Sequence, residues 1–275
     1  MTHKHPDLDA IMSVWLLYRF DPTCREAEFA FVPAGTTYKN KPVDSDWEII
    51  HTDTGMGTFD HHQPGKPDTC ASVLVREKLV SDGHIKPTDD ALKEMTEVAR
   101  EIDHFRDLFW PDPENSRYAF MLHEVIPSLH NSGRYDDEAV MRMIFVYIDA
   151  VYERLQNIEK AKRDIAEGEE ITTRWGKTLL VKSQADDVNK VAQKIGYELA
   201  VVYDPYSGYI KIKSSPAVTE TLAALYAKIC EVDNPSAWVY HVSGRMLFTG
   251  TNKGPSRAPS KLSFAQVVEI IKKLE

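Results

Sequence analysis

Apolar residues in the first half of the chain recur mostly at helical spacing. Ile11, Val14, Trp15 and Leu17 predict a first helix over 9–20, because they repeat every three or four positions. Two short apolar runs, 28–32 and 47–52, predict strands. Later helical patterns cover 71–80, 88–109 with Thr88 as the cap, 116–130 and 136–167.

From about residue 171 the pattern changes to short strands alternating with helices. Strands are predicted at 178–181, 199–203, 209–213, 238–242 and 246–248, and helices at 186–195, 219–232 and 263–274. The segment 204–208 predicts a hairpin turn. We therefore expect an α/β protein with a first domain over 1–167, a mainly parallel sheet and a long linking helix, followed by a smaller α/β domain over 171–275.

Histidine and aspartate residues are dense within the first 62 positions. His3, Asp7 and Asp9 form an H-x-x-x-D-x-D array just before the first predicted helix. Asp53 follows the second predicted strand, and Asp60-His61-His62 begins seven residues later. Carboxylate and imidazole ligands of this kind suit divalent cations such as Mn²⁺ or Mg²⁺ better than a thiolate-binding metal.

Taken singly, these residues have ordinary explanations. Asp7 and Asp9 can start a helix, Asp53 can end a strand, and Asp103 on a charged helix can face solvent. Four carboxylates in one cleft repel one another by roughly 3 kcal/mol per pair at ~5 Å and an effective dielectric of ~20. The order, spacing and strand-end placement of the whole set therefore favour a site that holds cations.

The motifs resemble those of the DHH phosphoesterase superfamily. The resemblance is carried by the H-x-x-x-D-x-D array, by Asp53-Thr54-Gly55, by Asp60-His61-His62 and by a later helical aspartate, and it spans residues 3–103. That group contains RecJ-type exonucleases, nanoRNase-type and cyclic-dinucleotide phosphodiesterases, exopolyphosphatases and family II inorganic pyrophosphatases. The resemblance implies a two-domain α/β fold with an active site in the interdomain cleft. It also implies two divalent cations, Mn²⁺ first, with Mg²⁺ or Co²⁺ as alternatives.

The same resemblance implies a role for each motif residue. One cation would be held by His3 and Asp7, the other by Asp9, His61 and Asp103, and Asp53 would bridge both. His62 would contact the substrate phosphate, and Asp60 would orient the adjacent histidines. Asp107 is the alternative to Asp103, and His104 is either a substrate contact or a surface residue. His5 and His51 are expected to be structural.

Departures from the superfamily pattern leave the substrate open. The first strand is nearly absent, and a short segment leads from Asp53 to Asp60-His61-His62-Gln63. The glycine-rich G-G-G-H motif and the basic R-K-K signature of the pyrophosphatases are missing. We expect a phosphohydrolase that cleaves phosphodiester bonds of short oligonucleotides or nucleotides by a metal-activated hydroxide. The alternatives are a phosphoanhydride hydrolase (inorganic pyrophosphatase or exopolyphosphatase), a non-catalytic metal or nucleotide sensor, and a plain interaction domain in which the array is accidental.

A basic segment near the end of the chain is a candidate phosphate site. Residues 250–261 carry three cations, Lys253, Arg257 and Lys261, several hydroxyl groups and no acid. Backbone N–H groups and cations of such a loop can bind phosphate. The alternative is a solvated loop, and Arg245 is a weaker candidate.

Composition narrows the class of protein further. A length of 275 residues with 43% hydrophobic and 27% charged residues permits two cores, and no apolar run approaches the ~20 residues of a membrane span. Three scattered cysteines and His3 within the first motif favour a cytoplasmic protein without a signal peptide. The net charge of −9 disfavours binding of long nucleic acid but not of a small phosphorylated substrate. No membrane partner is expected, and a homodimer stays open.

Overall fold

The computed structural model describes residues 1–65, 68–250 and 260–274. The chain divides into two units, Met1–Arg154 and Leu155–Glu275, and the division falls inside a 30-residue helix. No helix within these described ranges combines the length and apolar character that a bilayer crossing requires. The three cysteines are free thiols.

The first unit is mainly helical around a very small parallel sheet. Its elements are β1 (Thr2–His3), α1 (Leu8–Phe20), β2 (Phe31–Val32), α2 (Ala71–Ser81), α3 (Asp90–Asp103), α4 (Leu122–Asn131) and the first part of α5 (Asp137–Ala166). The strands β1 and β2 pair in parallel, with His3 opposite Val32. On the other side of β1, the Thr52 N–H donates to the Met1 carbonyl at 2.9 Å. This pairing places the ends of β1 and of the segment before Asp53 side by side.

Helix α1 forms because a capping residue precedes a long apolar run. The Asp7 side chain accepts from the Ala10 N–H, and nearly every residue of the helix up to Leu17 is buried. Trp15 is 1% exposed, and its ring packs edge-on against Tyr152. The core of this unit therefore surrounds the helix that begins at the first motif.

Several predicted elements of the first unit differ from the structure. The predicted strand 47–52 does not form, since Trp47 is exposed and the Ile49 N–H closes a turn onto Asp46. The predicted strand 28–32 is reduced to two residues because Phe29 packs against the Tyr18 ring instead of extending a ladder. Asp89, not Thr88, caps α3, and that helix ends at 103 because Phe105 adopts a left-handed conformation.

The second unit is a mixed sheet covered by helices. Its strands are β3 (Glu169–Thr173), β4 (Gly176–Lys182), β5 (Leu199–Tyr203), β6 (Ile210–Ser214), β7 (Val239–Tyr240) and β8 (Met246–Phe248). Its helices are α6 (Val188–Lys194), α7 (Ala223–Val232) and α8 (Phe264–Lys273). The strand order is β3-β4-β5-β6-β8-β7, in which β4 and β5 are parallel and the other pairs are antiparallel.

Alternate residues of β5 point to two separate cores. Leu199 and Val201 belong to the core that includes α7 and α8, whereas Ala200 and Val202 belong to the core with α6 and the end of α5. The predicted hairpin between β5 and β6 is confirmed by their antiparallel register. The α/β class is thus confirmed, with parallel strands in a small sheet and a second, mixed sheet. A site between two domains stays a prediction.

Candidate metal centre

Asp53 is the centre of a cluster of histidine and aspartate side chains in the first unit. It is 3% exposed and adopts a left-handed backbone conformation, with φ 53°. Such a conformation is uncommon for a non-glycine residue, and here the Asp53 N–H is fixed by the Phe59 carbonyl at 2.9 Å. The tight turn therefore holds the carboxylate in one place.

The two oxygens of Asp53 face different histidines. Oδ2 lies 3.3 Å from His3 Nε2, and Oδ1 lies 3.4 Å from His61 Nε2. His3 sits at the end of β1, where its Nδ1 donates to the Lys4 carbonyl at 2.9 Å. Because a carbonyl can only accept, Nε2 of a neutral His3 carries its lone pair toward Asp53.

Asp103, on α3, completes the group around His61. Its Oδ2 is 3.5 Å from His61 Nε2. Among the described residues, none provides a hydrogen-bond partner for three buried atoms of this group, Asp53 Oδ1, His61 Nε2 and Asp103 Oδ2. Buried polar atoms are normally satisfied, so a buried imidazole nitrogen and the two buried carboxylate oxygens that face it without hydrogen bonds require an explanation.

A divalent cation would supply the missing partner. Ligand atoms ~2.1 Å from an octahedral cation are ~3.0 Å apart at right angles, close to the spacing of these atoms. The donor set of imidazole nitrogen and carboxylate oxygen also suits Mn²⁺, Zn²⁺ or Co²⁺. The residues therefore fit the cations that the sequence implies, and Asp53 is placed to face two of them.

Asp7 and Asp9 occupy different positions around Asp53. The ligand atoms of His3, Asp7 and Asp53 all lie within 4.8 Å of one another. Asp9 is 2% exposed, and its two oxygens accept from the N–H groups of Ala71 at 2.7 Å and Ser72 at 2.9 Å. Asp9 thus fixes the start of α2, a role that its place in the first motif did not indicate. The Cys70 and Ser72 side chains also hydrogen-bond to the Asp9 carboxylate, so Asp9 holds this segment in place, and its part in binding a cation stays a prediction.

Asp60 holds His62 in place beside His61. The Asp60 Oδ1 accepts from the His62 N–H at 3.0 Å and lies 2.8 Å from its Nδ1, while Oδ2 accepts from the Met56 N–H at 2.6 Å. The His62 side chain is 58% exposed, and its ring lies 4.2 Å from that of His61. An ionised carboxylate only accepts, so His62 carries its proton on Nδ1 and presents Nε2 outward.

Burial and charge shift the protonation of the cluster. Burial lowers the pKa of His3, but the hydrogen bonds to Asp53 and the Lys4 carbonyl and the charges of Asp53 and Asp7 together raise it to about 9. Asp53 also raises the pKa of His61 to about 9 against burial, with a further contribution from Asp103. Burial first, and then the charge of Asp53, raises the pKa of Asp9 to about 6. Burial raises the pKa of Asp103 as well. Without cations, protons and imidazolium charges partly offset the crowded carboxylates.

The ligand atoms of His61, Asp103 and His104 lie within 4.8 Å of one another, so His104 borders the cluster, whereas the other remaining predicted residues lie apart from these contacts or outside the described residues. The His104 Nε2 donates to the Thr69 carbonyl at 3.0 Å, so one ring nitrogen supports the segment before α2. Lys261 is exposed, and its N–H donates to Asp233 in the second unit. Lys253 and Arg257 lie outside the described residues. Asp107 lies near His123, at 3.9 Å.

Comparison with solved structures finds two chains of interest. One is a member of the S1p family of ribosomal proteins with a DHH domain. It is 13% identical, the match covers 100% of this chain and 86% of that chain, and the TM-score is 0.31.

The other chain is a pGpG-specific phosphodiesterase from Vibrio cholerae. It is 12% identical, the match covers 90% of both chains, and the TM-score is 0.25. At TM-scores this low the superpositions carry no argument about the site. No protein-family model matches the chain, and a search of curated proteins finds no match.

Proposed function

We propose that the chain is a metal-dependent phosphoesterase of the DHH type. It would hydrolyse phosphodiester bonds of short oligonucleotides or nucleotides, with two divalent cations, Mn²⁺ first, at the Asp53 cluster. The observation that carries the proposal is that two buried carboxylate oxygens, Asp53 Oδ1 and Asp103 Oδ2, face the buried His61 Nε2 at 3.4 and 3.5 Å, and none of the three atoms has a hydrogen-bond partner among the described residues. A merely structural cluster would satisfy these atoms with hydrogen bonds.

The ligands divide around Asp53 into two sets. His3 Nε2 faces Asp53 Oδ2, and Asp7 belongs to the same group, while His61 Nε2 faces Asp53 Oδ1 and lies 3.5 Å from Asp103 Oδ2. Bound divalent cations would supply Lewis-acid chemistry, which neutralises phosphoryl charge and makes water a nucleophile near neutral pH. Asp53 would fix the positions of the two sets relative to each other, because its backbone is fixed and each of its oxygens faces a different imidazole.

Electrostatics support a metal requirement. Asp7, Asp53 and Asp103 present carboxylates to the same small region. Burial first, and then the charge of Asp53, raises the pKa of Asp7, and burial together with the charges of Asp53 and Asp7 raises the pKa of Asp103. A phosphate brought to uncompensated carboxylates at ~5 Å is repelled by roughly 3 kcal/mol for each unit charge at an effective dielectric of ~20. The chain's own histidines offset only part of that charge, so substrate binding needs cations.

His62 is placed to act on the substrate. Its Nδ1 hydrogen is held by Asp60, so Nε2 can donate only when the ring is doubly protonated. A protonated His62 would donate a hydrogen bond to a phosphoryl oxygen or a proton to the departing oxygen.

A panel of substrates tests the proposal and decides between bond types. Purified chain with Mn²⁺ is given 5′-phosphorylated dinucleotides, a cyclic dinucleotide, pyrophosphate and short polyphosphate. Release of mononucleotide, abolished in Asp53→Asn, is the expected result. Orthophosphate from pyrophosphate alone would make the chain a phosphoanhydride hydrolase instead. Nucleotide binding without any turnover would contradict the enzymatic proposal.

A further inference from the structure

A second group of metal-ligand residues lies in the first unit, made of residues that the Asp53 cluster does not use. His5 comes from the loop between β1 and α1, His130 from the last turn of α4, and Asp137 from the first turn of α5. Their ligand atoms all lie within 4.8 Å of one another. Three separate segments thus bring two imidazoles and one carboxylate together.

The ring orientation of His130 is fixed by its Nε2 atom. Nε2 lies 3.1 Å from the Pro6 carbonyl, so Nε2 carries a hydrogen and donates. Nδ1 of the neutral ring then carries the lone pair. A histidine that binds a metal generally donates its other ring N–H to a carbonyl or carboxylate in this manner.

The other ring nitrogen of His130, Nδ1, has no hydrogen-bond partner among the described residues. The side chain is only 4% exposed, and its Nδ1 lies 3.3 Å from Asp137 Oδ1. A lone pair that faces a carboxylate oxygen is unfavourable, and a cation between the two atoms would remove the conflict.

His5 closes the group on its solvent side. Its N–H donates to Asp137 Oδ1 at 3.2 Å, and its ring centroid is 5.2 Å from that of His130. His5 is exposed, which leaves an entry path for an ion. Its left-handed backbone, with φ 49°, turns the chain between His3 and Asp7.

We propose that His5, His130 and Asp137 form a third divalent-cation site, separate from the Asp53 cluster. Two imidazole nitrogens and one carboxylate oxygen favour later first-row cations such as Zn²⁺, Co²⁺ and Ni²⁺ over Mg²⁺ or Ca²⁺. The bound ion joins the loop that carries the first motif to the adjoining ends of α4 and α5. The proposal gives His5 a role beyond the structural one expected from the sequence.

Metal counting on the full chain tests the site. The metal-stripped protein is titrated with Co²⁺, and bound equivalents are measured by equilibrium dialysis together with the visible absorption of bound Co²⁺. The test variants are His130→Gln, which retains an N–H donor for the Pro6 carbonyl, and His5→Asn, because asparagine tolerates a left-handed backbone. The control is His84→Gln, an exposed histidine outside the group.

Each test variant is expected to bind one equivalent fewer than the wild type, and the control to bind the same number. The Asp53→Asn variant retains the equivalent that depends on His130, so failure of the Asp53 centre would not remove this signal. Unchanged Co²⁺ stoichiometry in both His130→Gln and His5→Asn would overturn the proposal. Circular dichroism checks the folding of each variant. If His130→Gln unfolds, the result for His5→Asn decides, because His5 is exposed.

Discussion

Asp53→Asn removes the carboxylate whose two oxygens face His3 and His61. In the native chain Asp53 Oδ2 is 3.3 Å from His3 Nε2 and Oδ1 is 3.4 Å from His61 Nε2. Asparagine has nearly the same shape, so the turn that positions the side chain is retained. The change therefore isolates the negative charge at the centre of the cluster.

The size of the effect follows from charge and distance. A unit charge ~4 Å from a divalent cation contributes about 8 kcal/mol at an effective dielectric of ~20. Asparagine retains a carbonyl oxygen that can bind the cation, so we expect about half of this energy to be lost. Since each 1.4 kcal/mol is about tenfold in affinity, Mn²⁺ should bind roughly 10³-fold more weakly to Asp53→Asn. The loss should affect both cations if Asp53 bridges them.

Mn²⁺ binding is measured by the electron paramagnetic resonance signal of free Mn²⁺ and by isothermal titration calorimetry. The matched control is Asp112→Asn, whose carboxylate is 62% exposed and pairs with Arg117. That control should bind Mn²⁺ like the wild type. If Asp53→Asn binds Mn²⁺ within threefold of the wild type, the bridging assignment is refuted.

Three further predictions concern the neighbours of Asp53. Asp60→Asn loosens His62 without removing a cation ligand, so turnover should fall roughly 10- to 100-fold while Mn²⁺ affinity changes little. Asp103→Asn should weaken Mn²⁺ binding in calorimetry, whereas Asp107→Asn should not; the reverse result would move the ligand to Asp107. His61 and His3 have pKa values raised to about 9, so below that pH a cation must displace protons from both rings. Apparent Mn²⁺ affinity should therefore rise from pH 6.5 to 9, with protons released in calorimetry. Metal-free stability should fall over the same interval, because the raised pKa stabilises the fold only while the ring is protonated. A melting temperature of the metal-free chain that rises with pH would contradict this.

The local signals for helices were strong enough to be read from the sequence. Helix α1 combines a capping aspartate at position 7 with a run of apolar residues, and α8 begins at Ser263 with a capping box to Gln266. The strands of the first unit were much harder to predict from the sequence. Trp47 belongs to an apolar run, yet it is 89% exposed, because the short segment 46–49 folds into a turn before it reaches β1. Period and propensity cannot reveal such a turn.

In the candidate sites, too, residues close in the sequence could be predicted, whereas contacts between residues far apart in the sequence could not. The first motif and Asp60-His61-His62 could be recognised because their spacing is short. The group of His5, His130 and Asp137 could not, since His5 lies more than a hundred positions before the other two and meets them only where α4 ends and α5 begins. The contact of Asp9 with the start of α2 is likewise a long-range feature.

Metal-dependent phosphodiester hydrolysis at Asp53 is tested most directly by following one substrate. Metal-stripped chain is mixed with a 5′-phosphorylated dinucleotide, and mononucleotide release is recorded before and after Mn²⁺ is added. We predict no release without Mn²⁺, turnover after its addition, and loss of that turnover in Asp53→Asn but not in Asp112→Asn. Equal release with and without Mn²⁺, or turnover that persists in Asp53→Asn, would contradict a catalytic metal centre at this residue.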